Sequence, residues 1–169
     1  MVGATTSQVG AVTQSADFDA FYRREHEGLY RALALSLADH DLAAEAVDEA
    51  MVRAYQRWSR VSRYDNPGGW VYRVAMNWAT SRLRRTGRRG TRATDAPATT
   101  DLQLPDPQLA AAVASLSIRL RAVVVLRFDL DWSLEQIASA LDVPLGTVKS
   151  RLHRALASLR TSLGDDHDA

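Results

Sequence analysis

The sequence predicts an all-α protein built as two small helical domains joined by a flexible linker. Three observations carry that reading. Apolar residues recur at spacings of three and four through most of the chain, and no run alternates in the manner of a strand. Residues 86–107, TGRRGTRATDAPATTDLQLPDP, lack periodicity and are rich in Gly, Ala, Thr, Pro and charge, which is the composition of a linker. Finally, 169 residues of which 46% are hydrophobic suffice for one or two compact cores and exclude a collagen-like or wholly disordered chain.

Residues 1–16, MVGATTSQVGAVTQSA, hold neither Lys nor Arg and no long apolar run. They lack the charged start and apolar centre of a secretion signal and are expected to be disordered. The first domain, residues 17–85, opens with Phe18, Phe21 and Tyr22 and continues with Leu29, Leu33 and Leu37, read as the apolar stripes of a helical hairpin. Asp41 is placed to cap the next helix, which turns Ala43, Ala44, Val47, Ala50, Met51, Ala54 and Trp58 inward and leaves Asp48 and Glu49 outside. The stretch WSRVSRYDNPGGW ends it, because the residue before Pro67 is biased away from helical geometry and Gly68-Gly69 loosens the chain. From Trp70 to about Arg85 a further helix buries Val71, Val74, Ala75 and Trp78. Its other side aligns Arg73, Asn77, Thr80 and Arg84 in one polar stripe.

Beyond the linker, residues 108–162 form the second domain. Leu109, Val113, Leu116 and Leu120 begin its apolar pattern, and Val123 to Leu126 with Phe128 make a dense core segment. Ser133 followed by Gln136 is a capping box, so a helix starts there and buries Leu134, Ile137, Ala138 and Leu141. Asp142-Val143-Pro144 turns the chain, and Pro144 suits the first position of the next helix because its missing amide would have no partner there. That helix carries Val148, Leu152, Ala155, Leu156 and Leu159 on one side. Its other side carries Gly146, Thr147, Ser150, His153 and Arg154, with Lys149 and Arg151 at the flanks. Residues 163–169 are expected to fray.

Several function classes fall away on composition. There is no cysteine, and His26, His40, His153 and His167 are too far apart to share a helix turn, so no metal site and no cofactor are expected. Nothing approaches the roughly 18 apolar residues of a membrane span, and the chain is expected to be cytoplasmic. The net charge of +1 hides strong local asymmetry. From Arg60 to Arg92 there are nine arginines against Asp65 alone, and Leu145 to Arg160 holds Lys149, Arg151, Arg154 and Arg160 without an acid. Asp39, Asp41, Glu45, Asp48 and Glu49 cluster with no cation among them. Two basic segments and one acidic helix imply a polyanion held at two places and a basic partner at a third.

The capped helix, tight turn and second helix have the pattern of a helix-turn-helix, whose second helix enters the major groove. Small residues in its first turn allow close approach. Lys149 and Arg154 can donate to base edges such as guanine O6 and N7, while Thr147 and Arg151 suit phosphates.

With these segments in hand, the sequence resembles the extracytoplasmic-function group of sigma-70 RNA polymerase sigma factors, the small type with two conserved domains. The resemblance covers about residues 17–85 and 107–160 and rests on DLAAEAVDEAMVRAYQRW, NPGGWVYRVAMNWATSRLRR and LRAVVVLRFDLDWSLEQIASALDVPLGTVKSRLHRAL in that order. It implies that residues 17–85 are sigma domain 2 and residues 108–162 sigma domain 4. It also implies that Asp48, Glu49 and Arg53 meet the clamp helices of the largest polymerase subunit, with the flap of the second-largest subunit as a further contact. Arg63, Tyr64, Asn66, Arg73, Asn77, Thr80, Arg84 and Arg85 are then assigned to the minus-10 element, captured as a single strand. Thr147, Lys149, Ser150, Arg151, His153 and Arg154 are assigned to the minus-35 duplex. Core polymerase, promoter DNA and an anti-sigma factor are the implied partners, with no membrane and no small-molecule substrate. For the single strand, a flexible loop beside Tyr64 or Trp70 offers rings on which an unstacked base can rest.

Two other classes compete. A stand-alone helix-turn-helix regulator would normally dimerise on paired half-sites, yet no dimer seam is visible and the acidic helix would have no purpose. An enzyme would need a phosphate loop or a carboxylate cluster, and Asp129 and Asp131 have no further acids at metal spacing.

Overall fold

In the computed structural model the described residues are 4–86 and 104–164, and among them there are eight helices and no strand. The first four are α1 (Ala4–Leu37), α2 (His40–Gln56), α3 (Trp58–Val61) and α4 (Pro67–Arg85). After residues 87–103 come α5 (Pro107–Ser115), α6 (Ile118–Phe128), α7 (Leu134–Leu141) and α8 (Leu145–Gly164).

Three expectations for the N-terminal part are corrected. The segment read as disordered is helical from Ala4, and Phe18 to Leu37 belong to one uninterrupted helix, not a hairpin. The segment holds no proline, and lengthening an existing helix adds one hydrogen bond for each residue fixed, so nothing stops α1 before its N-terminal end. The chain reverses at Ala38, which takes the left-handed conformation with φ 52°. Asp39, not Asp41, then caps α2: its Oδ1 accepts from the Leu42 amide at 2.9 Å.

The NPGGW stretch is also more ordered than predicted. Asn66 caps α4, its Oδ1 accepting from the Gly69 amide at 2.8 Å, and Pro67 takes the first turn, where no amide is needed. Gly68 and Gly69 are buried within that turn. A Cβ on Gly69 would lie 2.9 Å from Asn66 Nδ2 and 3.0 Å from Asn66 Cγ, closer than such atoms stand, and in contact with the Ala140 Cβ at 3.4 Å, so glycine makes room for the capping side chain here and does not loosen the chain.

α1, α2 and α4 pack on one another around Leu29, Leu33, Val47, Ala50, Val71 and Ala75. α6, α7 and α8 form the second unit, with α5 against α8, around Leu126, Ile137, Val148 and Ala155. The capping box is present in full, with Gln136 N donating to Ser133 Oγ at 3.1 Å and Ser133 N donating to Gln136 Oε1 at 2.9 Å. Asp142 closes α7 in the left-handed conformation, and the Pro144 carbonyl accepts from Thr147 and Val148 just ahead of α8. Residues expected on inner faces are found outside: Tyr22 and Ala44 are exposed on α1 and α2, Phe128 is 63% exposed at the end of α6, and Leu156 lies at the exposed edge of α8.

The two units are not held apart. α6 lies on α1, and α7 lies on α4. Arg121, 1% exposed, is the centre of the first contact. Its Nε donates to the Ser36 carbonyl at 2.9 Å, and one terminal nitrogen donates to the Ala114 and Leu116 carbonyls at 3.1 and 3.0 Å. These acceptors lie at the C-terminal ends of α1 and α5, where carbonyls lack helical partners and the helix dipole favours a cation. Burial nonetheless pulls the guanidinium down to about 10, still charged at neutral pH. Beneath it the Ser36 and Tyr72 hydroxyls are 2.7 Å apart, both fully buried.

Candidate nucleic-acid interface

α2 presents the acidic face. Asp48 Oδ1 is 3.3 Å from His26 Nε2, whose ring stacks on Tyr22, and Glu49 holds Arg53 at 2.8 Å. Val52 and Tyr55, 54% and 48% exposed, continue the same face. Sequence reasoning overlooked both, although offsets of four and seven from Asp48 put them on its stripe. This surface therefore offers carboxylates around exposed apolar area.

The start of α4 and the turn before it form a second surface. Arg63, Tyr64, Asn66, Trp70 and Arg73 line a cleft of about 610 Å³ whose opposite wall comes from Glu135, Gln136 and Ser139 of the second unit. The Asn66 amide nitrogen is buried there without a hydrogen-bond partner among the described residues. Further along, Arg73, Asn77 and Thr80 do lie on one side of α4, as the spacing predicts. They face a narrower cleft of about 220 Å³ shared with Ala140, Leu141 and Arg151. The Thr80 hydroxyl donates to the Met76 carbonyl at 2.8 Å, which leaves its oxygen as an acceptor. Arg84 and Arg85 are exposed at the end of the helix. Arg85 borders a hollow of about 280 Å³ with Asn77, Trp78 and Arg82, where Arg82 covers the Trp78 ring and reaches Glu45 at 3.2 Å. Arg82 was not singled out from the sequence because it falls off the polar stripe.

On α8, Lys149, Ser150, His153 and Arg154 are exposed, and Thr147 and Arg151 are half-buried. Nothing lies within 4 Å of a Cβ built on Gly146, so the first turn is open to a ligand. Burial lowers the Arg151 pKa, helped by the nearby cations Arg119 and Arg154. Cations packed this closely favour an anion among them.

Thus three surfaces of the expected chemistry exist, on α2, on α4 and on α8. No group of acids and histidines among the described residues is arranged to hold a metal, and no described helix is long and apolar enough to cross a membrane.

Residues 21–89 match the family model of sigma-70 region 2, and residues 107–159 match that of sigma-70 region 4. The ECF RNA polymerase sigma factor SigL of Mycobacterium tuberculosis is 32% identical over 163 residues, 90% of this chain and 92% of that protein. The chain belongs to the extracytoplasmic-function group of sigma-70 sigma factors. RNA polymerase sigma-E factor of Streptomyces avermitilis is another relative, 30% identical over 152 residues, which are 87% of this sigma factor and 85% of that one. The solved structure of the sigma factor RpoE in complex with the anti-sigma factor NepR from Bartonella quintana superposes with a TM-score of 0.66 at 25% identity. It covers 86% of this sigma factor and 97% of that chain. The region 2 match takes in the α2 and α4 surfaces and the region 4 match takes in α7 and α8. The stand-alone regulator finds no support.

Proposed function

We propose that this sigma factor binds core RNA polymerase and directs it to promoters by holding a minus-10 and a minus-35 element with its two domains, residues 17–85 and 108–162. The α2 face docks on the largest-subunit clamp helices: Asp48 and Glu49 supply charge, Arg53 orients Glu49, and Val52 and Tyr55 supply the apolar area that anchors an interface. Residues 108–162 also meet the flap of the second-largest subunit.

The minus-10 strand runs along Arg63, Tyr64, Asn66, Arg73, Asn77, Thr80, Arg84 and Arg85. The arginines hold phosphates, the Tyr64 and Trp70 rings receive an unstacked base, and the spare Asn66 donor meets a base acceptor. The minus-35 duplex takes α8 in its major groove, with Lys149 and Arg154 on base edges, Ser150 and His153 beside them, and Thr147 and Arg151 on the backbone. The chain does no chemistry of its own and acts in the cytoplasm, where polymerase and promoter are. An anti-sigma factor as a regulatory partner is supported by the Bartonella complex.

The observation that carries this reading is the occurrence, in order on one chain, of both sigma regions with a fully capped helix-turn-helix. Run-off transcription with core polymerase on a fragmented genomic library tests it. Added sigma factor should create new start sites, and Glu49→Lys should not. An unchanged transcript set would overturn the reading.

A further inference from the structure

The hollow beside the end of α4 is walled by two helices of the first domain. Arg53 comes from α2, and Asn77, Trp78, Ser81, Arg82 and Arg85 come from α4, with no acid among them. Arg53 stands five residues past Asp48, so it falls on the flank of α2 beside α4 and not on the exposed stripe of Asp48, Val52 and Tyr55. Neither Ser81 nor Arg82 serves the polymerase face or the promoter stripe.

The guanidinium groups are held in place from behind. Glu49 fixes Arg53 at 2.8 Å and Glu45 fixes Arg82 at 3.2 Å, while Arg82 also lies over the Trp78 ring, 5.3 Å from its centroid. A guanidinium carries five N–H donors in a rigid fork. One contact with a glutamate therefore leaves most of them available. Arg84 donates to the Ser81 oxygen at 3.2 Å, so the Ser81 hydroxyl can still donate its own hydrogen. The Asn77 amide adds further N–H groups. Arg53, Arg82, Arg84 and Arg85 stand against Glu45 and Glu49 alone, which keeps the surroundings cationic.

This chemistry selects the ligand. The hollow of about 280 Å³ lies just below the roughly 300–1,000 Å³ of ordinary small-molecule sites, which are mostly apolar. It suits a small, highly charged group. A carboxylate offers two oxygens and one charge, whereas forks arriving from two helices match the larger oxygen count and charge of phosphate.

We propose that this hollow is a phosphate-group site, in which Arg53, Arg82 and Arg85 hold the oxygens and Ser81 and Asn77 complete the donors. Two sources carry that chemistry: a free diphosphate, such as the end of a nucleotide, and a backbone phosphate of promoter DNA beside the minus-10 strand.

Titration calorimetry of the full chain with inorganic pyrophosphate, at an ionic strength held constant with chloride, reads the first source. Binding of the holoenzyme to promoter duplex over a range of salt reads the second. Arg82→Gln should weaken pyrophosphate binding about tenfold, the loss of one hydrogen bond to a charged group. Arg82→Lys keeps the charge without the fork and should fall between. Glu45→Gln removes the carboxylate that competes for Arg82 and should strengthen binding several-fold, a gain that does not depend on how Arg82→Gln folds. Arg160→Gln, the same charge change on α8, should leave pyrophosphate binding as it is.

Pyrophosphate binding with this pattern, and an unchanged promoter salt slope in Arg82→Gln, assigns the site to a free diphosphate. No pyrophosphate binding, with the Arg82→Gln slope lower by about 1, assigns it to the DNA backbone. Both responses together mean that diphosphate and promoter compete for it. Equal weakening by Arg82→Gln and Arg160→Gln, or no response from either source, overturns the site. The pyrophosphate titration needs no polymerase, so its outcome is independent of the function proposed above.

Discussion

Tyr72→Phe is the sharpest test of the packing described above. The Tyr72 ring is fully buried and its hydroxyl lies 2.7 Å from that of Ser36, itself fully buried. Phenylalanine keeps the ring, so no large cavity opens and the edge contact with the Trp132 ring, 6.2 Å between centroids, survives. What changes is that the Ser36 hydroxyl loses its partner, which costs about 1–3 kcal/mol. Taking about 2 kcal/mol, the melting temperature of a chain this size falls by roughly 4–8 °C.

Ser36→Ala/Tyr72→Phe removes both hydroxyls and should recover most of that loss, since neither group is then stranded. Burial also raises the Tyr72 pKa above its ordinary 10.0, so the neutral phenol stabilises the fold fully below pH 10 and progressively less above it. The gap between wild type and Tyr72→Phe should therefore narrow above that pH. Thermal and urea melts of the two single variants and the double variant at neutral and alkaline pH decide the matter. A Tyr72→Phe loss within about 0.5 kcal/mol, or a double variant whose loss is the sum of the singles, would refute the reasoning.

Arg154→Ala should weaken recognition by about 1–3 kcal/mol at one base position, and an equal loss on random duplex would remove the base-reading role. Glu49→Lys should abolish co-purification with core polymerase while the circular dichroism spectrum stays helical; normal co-purification would displace the polymerase face from α2. Arg84→Ala should lower promoter affinity without changing sequence preference and reduce the salt slope by about 1, so an unchanged slope would show that it touches no phosphate. Ser133→Ala should cost about 1 kcal/mol through loss of the cap on α7; an unaltered urea midpoint would count against the capping box.

Much of the second domain was legible because its signals are local. The Ser133/Gln136 capping box and the Pro144 turn depend on neighbours within four residues, and the structure has them where the spacing puts them. The stripe of Arg73, Asn77 and Thr80 was legible for the same reason. Errors arose where tertiary contact decides. Gly68-Gly69 reads as a loose loop until Ala140 is known to sit against it. Phe128 reads as core because hydropathy does not say where α6 emerges into solvent. Periodicity gave no means of foreseeing that a cation, Arg121, would be buried at the junction of two helix ends, or that two domains expected to be separate would dock. The expected linker, residues 86–107, and the expected frayed tail, residues 163–169, lie mostly outside the described residues. Within them Thr86 closes α4, Pro107 opens α5 and Gly164 ends α8.

The most direct test of the central claim is transcription by the reconstituted holoenzyme from a template library randomised across the whole promoter, with the productive templates sequenced. The account predicts two enriched blocks about 25 base pairs, or roughly 85 Å, apart, with Arg154→Ala altering preference in the upstream block alone and Asn77→Ala in the downstream block alone. A single enriched block, or both substitutions acting on the same one, would contradict it.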